Sequence, residues 1–210
     1  HLDPRARRAL GLHFVPEERL GRGAVPSMGL AHNLLLTRSN ALGTGGWIRM
    51  GQLQAQARAI IERFGVKAGG ADAPAQSLSG GNLQKFIVGR EIDAGPSLLI
   101  VSQPTWGVDV GAAQQIRAAI LALRDAGCAV LIVSEELDEL FELSDRLYVL
   151  AKGHLSPSVA RADATVQQVG EWMSGLWNAD VQQHLADMEQ VLPSSEAAQA
   201  NALVKGPQHV

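Results

Sequence analysis

Two short runs, "SLLIVS" (97–102) and "CAVLIVS" (128–134), limit the fold more than any other feature of the chain. Between them Ile116, Ile120 and Leu123 recur at helical spacing, and Gly127 closes that stretch. Strand, helix, strand, with the strands apolar throughout, predicts a parallel sheet covered by helices on both faces, an α/β fold. "LGLHFVP" (10–16) reads as a further short strand ended by Pro16, and "RLYVLA" (146–151) as another, with a turn at Gly153.

The remaining pattern is helical or loop-like. "EERLGRGAVPSMG" is a polar loop punctuated by Gly and Pro. From Ser27 to about Val66 the spacing predicts helix, with Leu53, Ala57, Ile60, Ile61 and Phe64 on one side and Gly65 as a stop. "KAGGADAPAQ" is a small-residue connector, and "SGGNLQKFIVGREID" a helix opened by Ser79. An acidic helix runs from Glu135 to Leu143. Its Leu137, Leu140 and Phe141 face inward, while Glu135, Glu136, Asp138, Glu139 and Glu142 read as a solvated face rather than a metal site. Residues 165–177 form one more helix, docked by Trp172 and Trp177, and the Gln-, Ala- and Ser-rich tail 178–210 reads as mobile.

Composition removes several classes of function. At 46% hydrophobic, 210 residues can bury a core. A net charge of −3 gives no bulk attraction to nucleic acid. The single cysteine, Cys128, excludes a disulfide framework, fits a reducing compartment and reads as a buried thiol. Apolar runs are too short to span a bilayer, and no signal peptide opens the chain. The six histidines lack ligand spacing, so no metal site is expected. A first residue of His rather than Met reads as the sign of a fragment, and an exposed sheet edge predicts poor solubility.

"SLSGGNLQK" (77–85) carries the binding chemistry. Ser79 can cap the helix while the first N–H groups, at Gly80 and Gly81, find no partner within it. The helix dipole adds about half a positive charge there, so a phosphate fits. Alone, Ser-Gly-Gly is more often a plain N-cap after a linker. It is followed, however, by a fixed series: Arg90, the strand at 97–102, "QPTWGVD", the strand ending at Ser134, "SDR" and a Gly turn at 153.

That series resembles the second half of an ABC transporter ATP-binding domain over about residues 10–175. "LSGGN-x-Q" is similar to the family's signature motif, "LLIVSQPT" to its Walker B strand, "GVDVGA" to its D-loop and "LIVSEELDEL" to its H-loop. Asn82 followed by Gln84 and Lys85, with "VPEER" and "PTWGVDVGA", resembles the C-terminal half of importers of simple sugars or nucleosides with two fused ATP-binding halves. The resemblance implies a partial P-loop NTPase-like core (1–16 and 77–160), a helical subdomain (17–76) and a C-terminal helix (161–177).

The departures from that family are specific. No G-x-x-x-x-G-K-S/T occurs, and the nearest stretch, "LGTGGWI", lacks lysine and a following helix. Without such a cradle, nothing holds the β- and γ-phosphates. Ser102 stands where the family has the Mg²⁺-holding aspartate, and Gln103 where it has the water-activating glutamate. Glu135 replaces the γ-phosphate histidine, and Glu17 falls where a Q-loop glutamine is usual. The expected catalytic set in this chain is therefore empty, and it alone should not hydrolyse ATP.

The resemblance assigns nucleotide contact to Ser79, Gly80, Gly81, Asn82 and Asp109, acting in trans on ATP and Mg²⁺ held mainly by a second ATP-binding half. It also implies permease subunits, met through the helical segment 27–66 and the loop Glu17 to Gly23, and indirectly a periplasmic or lipid-anchored substrate-binding protein. The location would be peripheral, on the cytoplasmic face of the inner membrane. Trp106 fits either stacking on a base or packing against the partner half. Two other readings stay open: an interaction module that binds no nucleotide, and a translation- or repair-type ABC ATPase. The absence of a basic patch and of a coiled-coil insertion weighs against the latter.

Overall fold

A three-stranded parallel sheet organises the first of two compact units, His1–Leu143. The computed structural model describes residues 1–44 and 47–177, without the side chains of 39–44. In chain order the first unit runs α1 (Pro4–Ala9), β1 (Leu12–Val15), α2 (Leu30–Asn33), α3 (Leu35–Leu42), a hairpin of β2 (Gly43–Thr44) and β3 (Trp47–Ile48), and α4 (Met50–Arg63). A 3₁₀ turn (Ala75–Ser77) leads to α5 (Gly80–Asp93), β4 (Leu98–Ser102), α6 (Val110–Asp125), β5 (Ala129–Val133) and α7 (Leu137–Leu143).

The sheet order is β1-β4-β5, in register Phe14–Ile100–Leu131 and Val15–Val101–Ile132. Val15, Leu99 and Val101 are fully buried in one core with Phe86 and Ile87 of α5 and Ile116 and Ile120 of α6. The strands are thus parallel, with helices packed on the sheet, as an all-apolar strand–helix–strand pattern requires. Alternate positions behave differently: Phe14, Leu131 and Val133 are 44%, 52% and 52% exposed. The expected cover on both faces is thus corrected: side chains alternate across the sheet, and the face carrying Phe14, Leu131 and Val133 is only partly covered among the described residues.

The helix expected from Ser27 to Val66 is broken into pieces. Gly29 begins α2, and Arg38 interrupts α3 with φ −132° and ψ 21°. "LGTGGWI" folds into the β2–β3 hairpin, whose tip lies outside the described residues, and α4 follows it at once. The expectation that no helix follows this stretch is corrected. Leu53, Ala57, Ile60 and Phe64 are buried as their spacing predicts.

The second unit begins at Ser144. "RLYVLA" is not one strand but two short ones, β6 (Arg146–Leu147) and β7 (Leu150–Ala151). They pair antiparallel with β9 (Val159–Ala160) and β8 (His154–Leu155) respectively. Lys152 and Gly153, both at positive φ, turn the β7–β8 hairpin. α8 (Val166–Met173) is capped by Thr165, whose Oγ1 accepts from the Gln168 N–H at 3.1 Å. The tail from 178 lies outside the described residues. Among the described residues, no helix is long and apolar enough to cross a membrane.

Candidate functional site

Ser79 caps α5, its Oγ accepting from the Asn82 N–H at 3.5 Å and from Asn82 Nδ2 at 2.8 Å. Asn82 Oδ1 then accepts from the Lys67 N–H at 2.8 Å, which ties the cap to the connector after α4. One turn further, Lys85 Nζ donates to the Gly65 carbonyl at 2.5 Å. Ser79 and Gly80 are exposed, while Gly81 and Asn82 are half-buried.

Asp109 caps α6 in the same manner, with Oδ1 accepting from the Ala112 N–H at 2.9 Å. The two helix starts touch. A Cβ placed on Gly81 would lie 3.4 Å from Asp109 Oδ2 and 3.6 Å from Val108 Cβ. Two helix N-termini, each with unpaired N–H groups, therefore sit side by side, with exposed Ser79, Gly80 and Asp109 at their rim. The N–H groups of such an edge suit an anion, while the Asp109 carboxylate beside Gly81 opposes one.

At the end of β4 the chemistry differs. Ser102 is half-buried and borders an open cleft of about 1200 Å³ that also reaches Arg19, Gly80 and Trp106. Gln103 is buried and holds φ at +50°, where side chains other than glycine are uncommon. Such a backbone costs on the order of 1–3 kcal/mol and persists only when neighbours fix it. Here the Gln103 N–H donates to the Val133 carbonyl at 2.7 Å. Gln103 Oε1 accepts weakly from Ser134 Oγ at 3.5 Å and from the Glu135 N–H at 3.4 Å. The amide is thus turned toward the start of the acidic segment. Neither 102 nor 103 offers a carboxylate, and among the described residues no three acidic, His or Cys side chains converge as metal ligands.

The acidic helix needs a correction. Glu139 is not on a solvated face; it is fully buried. Thr105 Oγ1 donates to its Oε1 at 2.5 Å, and Arg117 Nε lies 3.9 Å away. The helix begins at Leu137 rather than Glu135, and packed on α6 it turns one of its three acids inward, where the Thr105 hydroxyl and a nearby guanidinium make that burial tolerable. Trp106 is 59% exposed, and Trp172 is half-buried in the second unit.

Sequence reasoning passed over Arg19. Its Nε donates to Gln84 Oε1 at 3.1 Å, and its Nη2 donates to the Trp106 carbonyl. Burial pushes its pKa below the ordinary arginine value. Nothing in "PEERLGRG" marks this arginine, since its partners lie 65 and 87 residues away.

No family model matches the chain. It is 42% identical over 169 residues to a glucose import ATP-binding protein of Haloferax volcanii, covering 79% of this chain and 31% of that protein. It is 40% identical over 174 residues to a nucleoside import ATP-binding protein of Lactococcus lactis, covering 82% and 34%. A guanosine import ATP-binding protein of Bacillus subtilis matches at 38% over 177 residues, covering 83% and 35%. The chain thus spans about a third of the length of these curated relatives.

Among solved structures, the dimeric post-hydrolysis state of an ATP-binding cassette bound to ADP and Pi aligns with a TM-score of 0.63. The identity is 18%, covering 76% of this chain and 68% of that one. A nucleotide-free cassette from an ABC transporter aligns at 0.62, with 22% identity and coverage of 82% and 68%.

Proposed function

The chain is a partial-length homologue of ATP-binding proteins of sugar and nucleoside importers, folded as part of an ATP-binding cassette, and we propose that it completes the ATP site of a second ATP-binding half. The observation that carries this reading is a contrast between two parts of the chain. The starts of α5 and α6 bring Ser79, Gly80, Gly81, Asn82 and Asp109 together. At the end of β4, by contrast, Ser102 and Gln103 stand where the resemblance puts a metal ligand and a proton acceptor.

Gln103 can orient a water but cannot take its proton, and losing such a base costs about 10²- to 10⁴-fold in rate. The residues at 102 and 103 do not fit Mg²⁺, which prefers carboxylate and phosphate oxygens. ATP and Mg²⁺ therefore belong chiefly to the partner half, and this chain contributes donors that engage when the halves close. Each charge-assisted hydrogen bond to phosphate is worth about 1.5–3 kcal/mol. Because that energy exists only in the closed state, ATP binding drives closure. The segment 27–66 and the loop Glu17 to Gly23 would meet permease subunits at the cytoplasmic face of the membrane. A substrate-binding protein would supply a simple sugar or nucleoside from the other side.

The test mixes the chain with an ATP-binding half that carries a G-x-x-x-x-G-K-S/T cradle. ATP-dependent association and turnover are expected, and Gly81→Asp should abolish both by setting a carboxylate beside Asp109 where the phosphate would come. Turnover unaffected by Gly81→Asp would count against the trans site. A folded chain that shows no ATP-dependent association is instead an interaction module.

A further inference from the structure

Arg19 joins three segments that are distant in sequence. Through Nε it holds Gln84 Oε1 of α5 at 3.1 Å, and through Nη2 it holds the Trp106 carbonyl, three residues before Asp109. Gln84 is fully buried and passes the connection on, its Nε2 donating to the Pro104 carbonyl at 2.9 Å. The third segment is the loop that carries Arg19. Gly23 N–H donates to the Glu18 carbonyl at 3.0 Å, Ala24 N–H to the Arg19 carbonyl at 2.7 Å and Gly21 N–H to the Ala24 carbonyl at 2.8 Å. These bonds close the backbone of 18–24 on itself, so the loop that anchors Arg19 shifts as a unit.

We propose that Arg19 is a positioning residue: it sets the spacing between the first turn of α5 and the 104–109 turn, and transmits movement of the 18–24 loop to both. Its effect on nucleotide rests on the trans-site reading above, whereas its effect on spacing does not. Three features of the geometry carry it. The two acceptors lie on different segments and take different guanidinium nitrogens, which one lysine ammonium cannot duplicate. Both acceptors are neutral, so this is a directional fork and not an ion pair. The residue at 80 is also matched to the clamp, since a Cβ there would lie 2.8 Å from Arg19 Nη1. That neighbour is the end of a flexible side chain, so a methyl group at 80 displaces the guanidinium and leaves the helix backbone in place.

The experiment follows hydrogen exchange in the full chain for Arg19→Ala, Arg19→Lys, Gly80→Ala and the Arg19→Ala/Gly80→Ala double variant. Exchange should accelerate by about tenfold or more in peptides covering 79–84 and 104–110, and stay unchanged in 98–102 and 129–133. Arg19→Lys should not restore protection. The double variant should be no worse than Arg19→Ala, because both single changes remove one contact.

Paired with the cradle-bearing half, Arg19→Ala should raise the ATP concentration for half-maximal association about tenfold, with turnover at saturation within about twofold. Unchanged exchange in the two turn peptides, full protection in Arg19→Lys, or strictly additive effects in the double variant would overturn the proposal. If the unaltered chain shows no ATP-dependent association, the trans-site reading fails, and the spacing role of Arg19 is decided by exchange alone.

Discussion

Glu91 shows most plainly how single residues hold this unit together. It is fully buried, and its two oxygens are shared between Arg90 Nε at 2.6 Å and His13 Nδ1 at 2.7 Å, with Arg8 Nη1 at 3.7 Å. Arg90 in turn donates to the Asn33 carbonyl at 3.2 Å and accepts Arg38 at its own carbonyl. Burial works to raise the Glu91 pKa, but the hydrogen bond from His13 and the charge of Arg90 outweigh it, and the net direction is downward from 4.5. A carboxylate with a depressed folded pKa stabilises the fold above its unfolded value, and that contribution is lost as pH falls through the folded one. Stability should thus decline below about pH 4.5, where the unfolded chain first takes up this proton. Glu91→Gln should flatten that acid limb and cost about 3–5 kcal/mol at neutral pH, because Arg90 is left buried without its partner. Urea unfolding across pH 3–7 measures both effects.

At the scale of elements, α5 organises the first unit, packed against α4, α6 and β1. Leu83 through Ile92 are all buried, so this helix is covered on every side. Its polar residues survive burial only because each finds a partner: Gln84 with Pro104 and Arg19, Lys85 with Gly65, Arg90 with Glu91. Contact with α4 depends on Gly89, where an added Cβ would lie 2.6–3.0 Å from the Phe64 ring. Helix propensity alone favours alanine over glycine by about 1 kcal/mol. Overpacking against a buried ring reverses that preference, so Gly89→Ala should destabilise the chain by about 1–3 kcal/mol. A lowered denaturation midpoint with an unchanged slope would show it, and a stabilised variant would mean that the ring yields at little cost.

For the molecule as a whole, the question is whether restoring acids restores an enzyme. Ser102→Asp/Gln103→Glu supplies the two missing carboxylates at the end of β4. The double variant alone should still show no ATP hydrolysis above background in a phosphate-release assay, because its 210 residues contain no phosphate cradle. Hydrolysis by the isolated double variant would mean that the cleft beside Ser102 holds a triphosphate unaided, which the trans-site reading denies.

Much of this was legible along the chain. Apolar runs gave β4 and β5, helical spacing gave α4 and α6, and Ser79 announced the start of α5, because periodicity and capping involve residues within a few positions of each other; the Asp109 cap of α6 emerged only in the structure. The helical reading of 27–66 held for α4 but failed before it, since Arg38 kinks α3 and the β2–β3 hairpin interrupts the run.

What tertiary structure alone decided is which polar side chains turn inward and whom they meet. His13 finds Glu91 across 78 residues, Arg19 finds Trp106 across 87, and Thr105 finds Glu139 across 34. A charged residue reads as surface until a specific partner can replace its water, and only the folded chain brings that partner within reach.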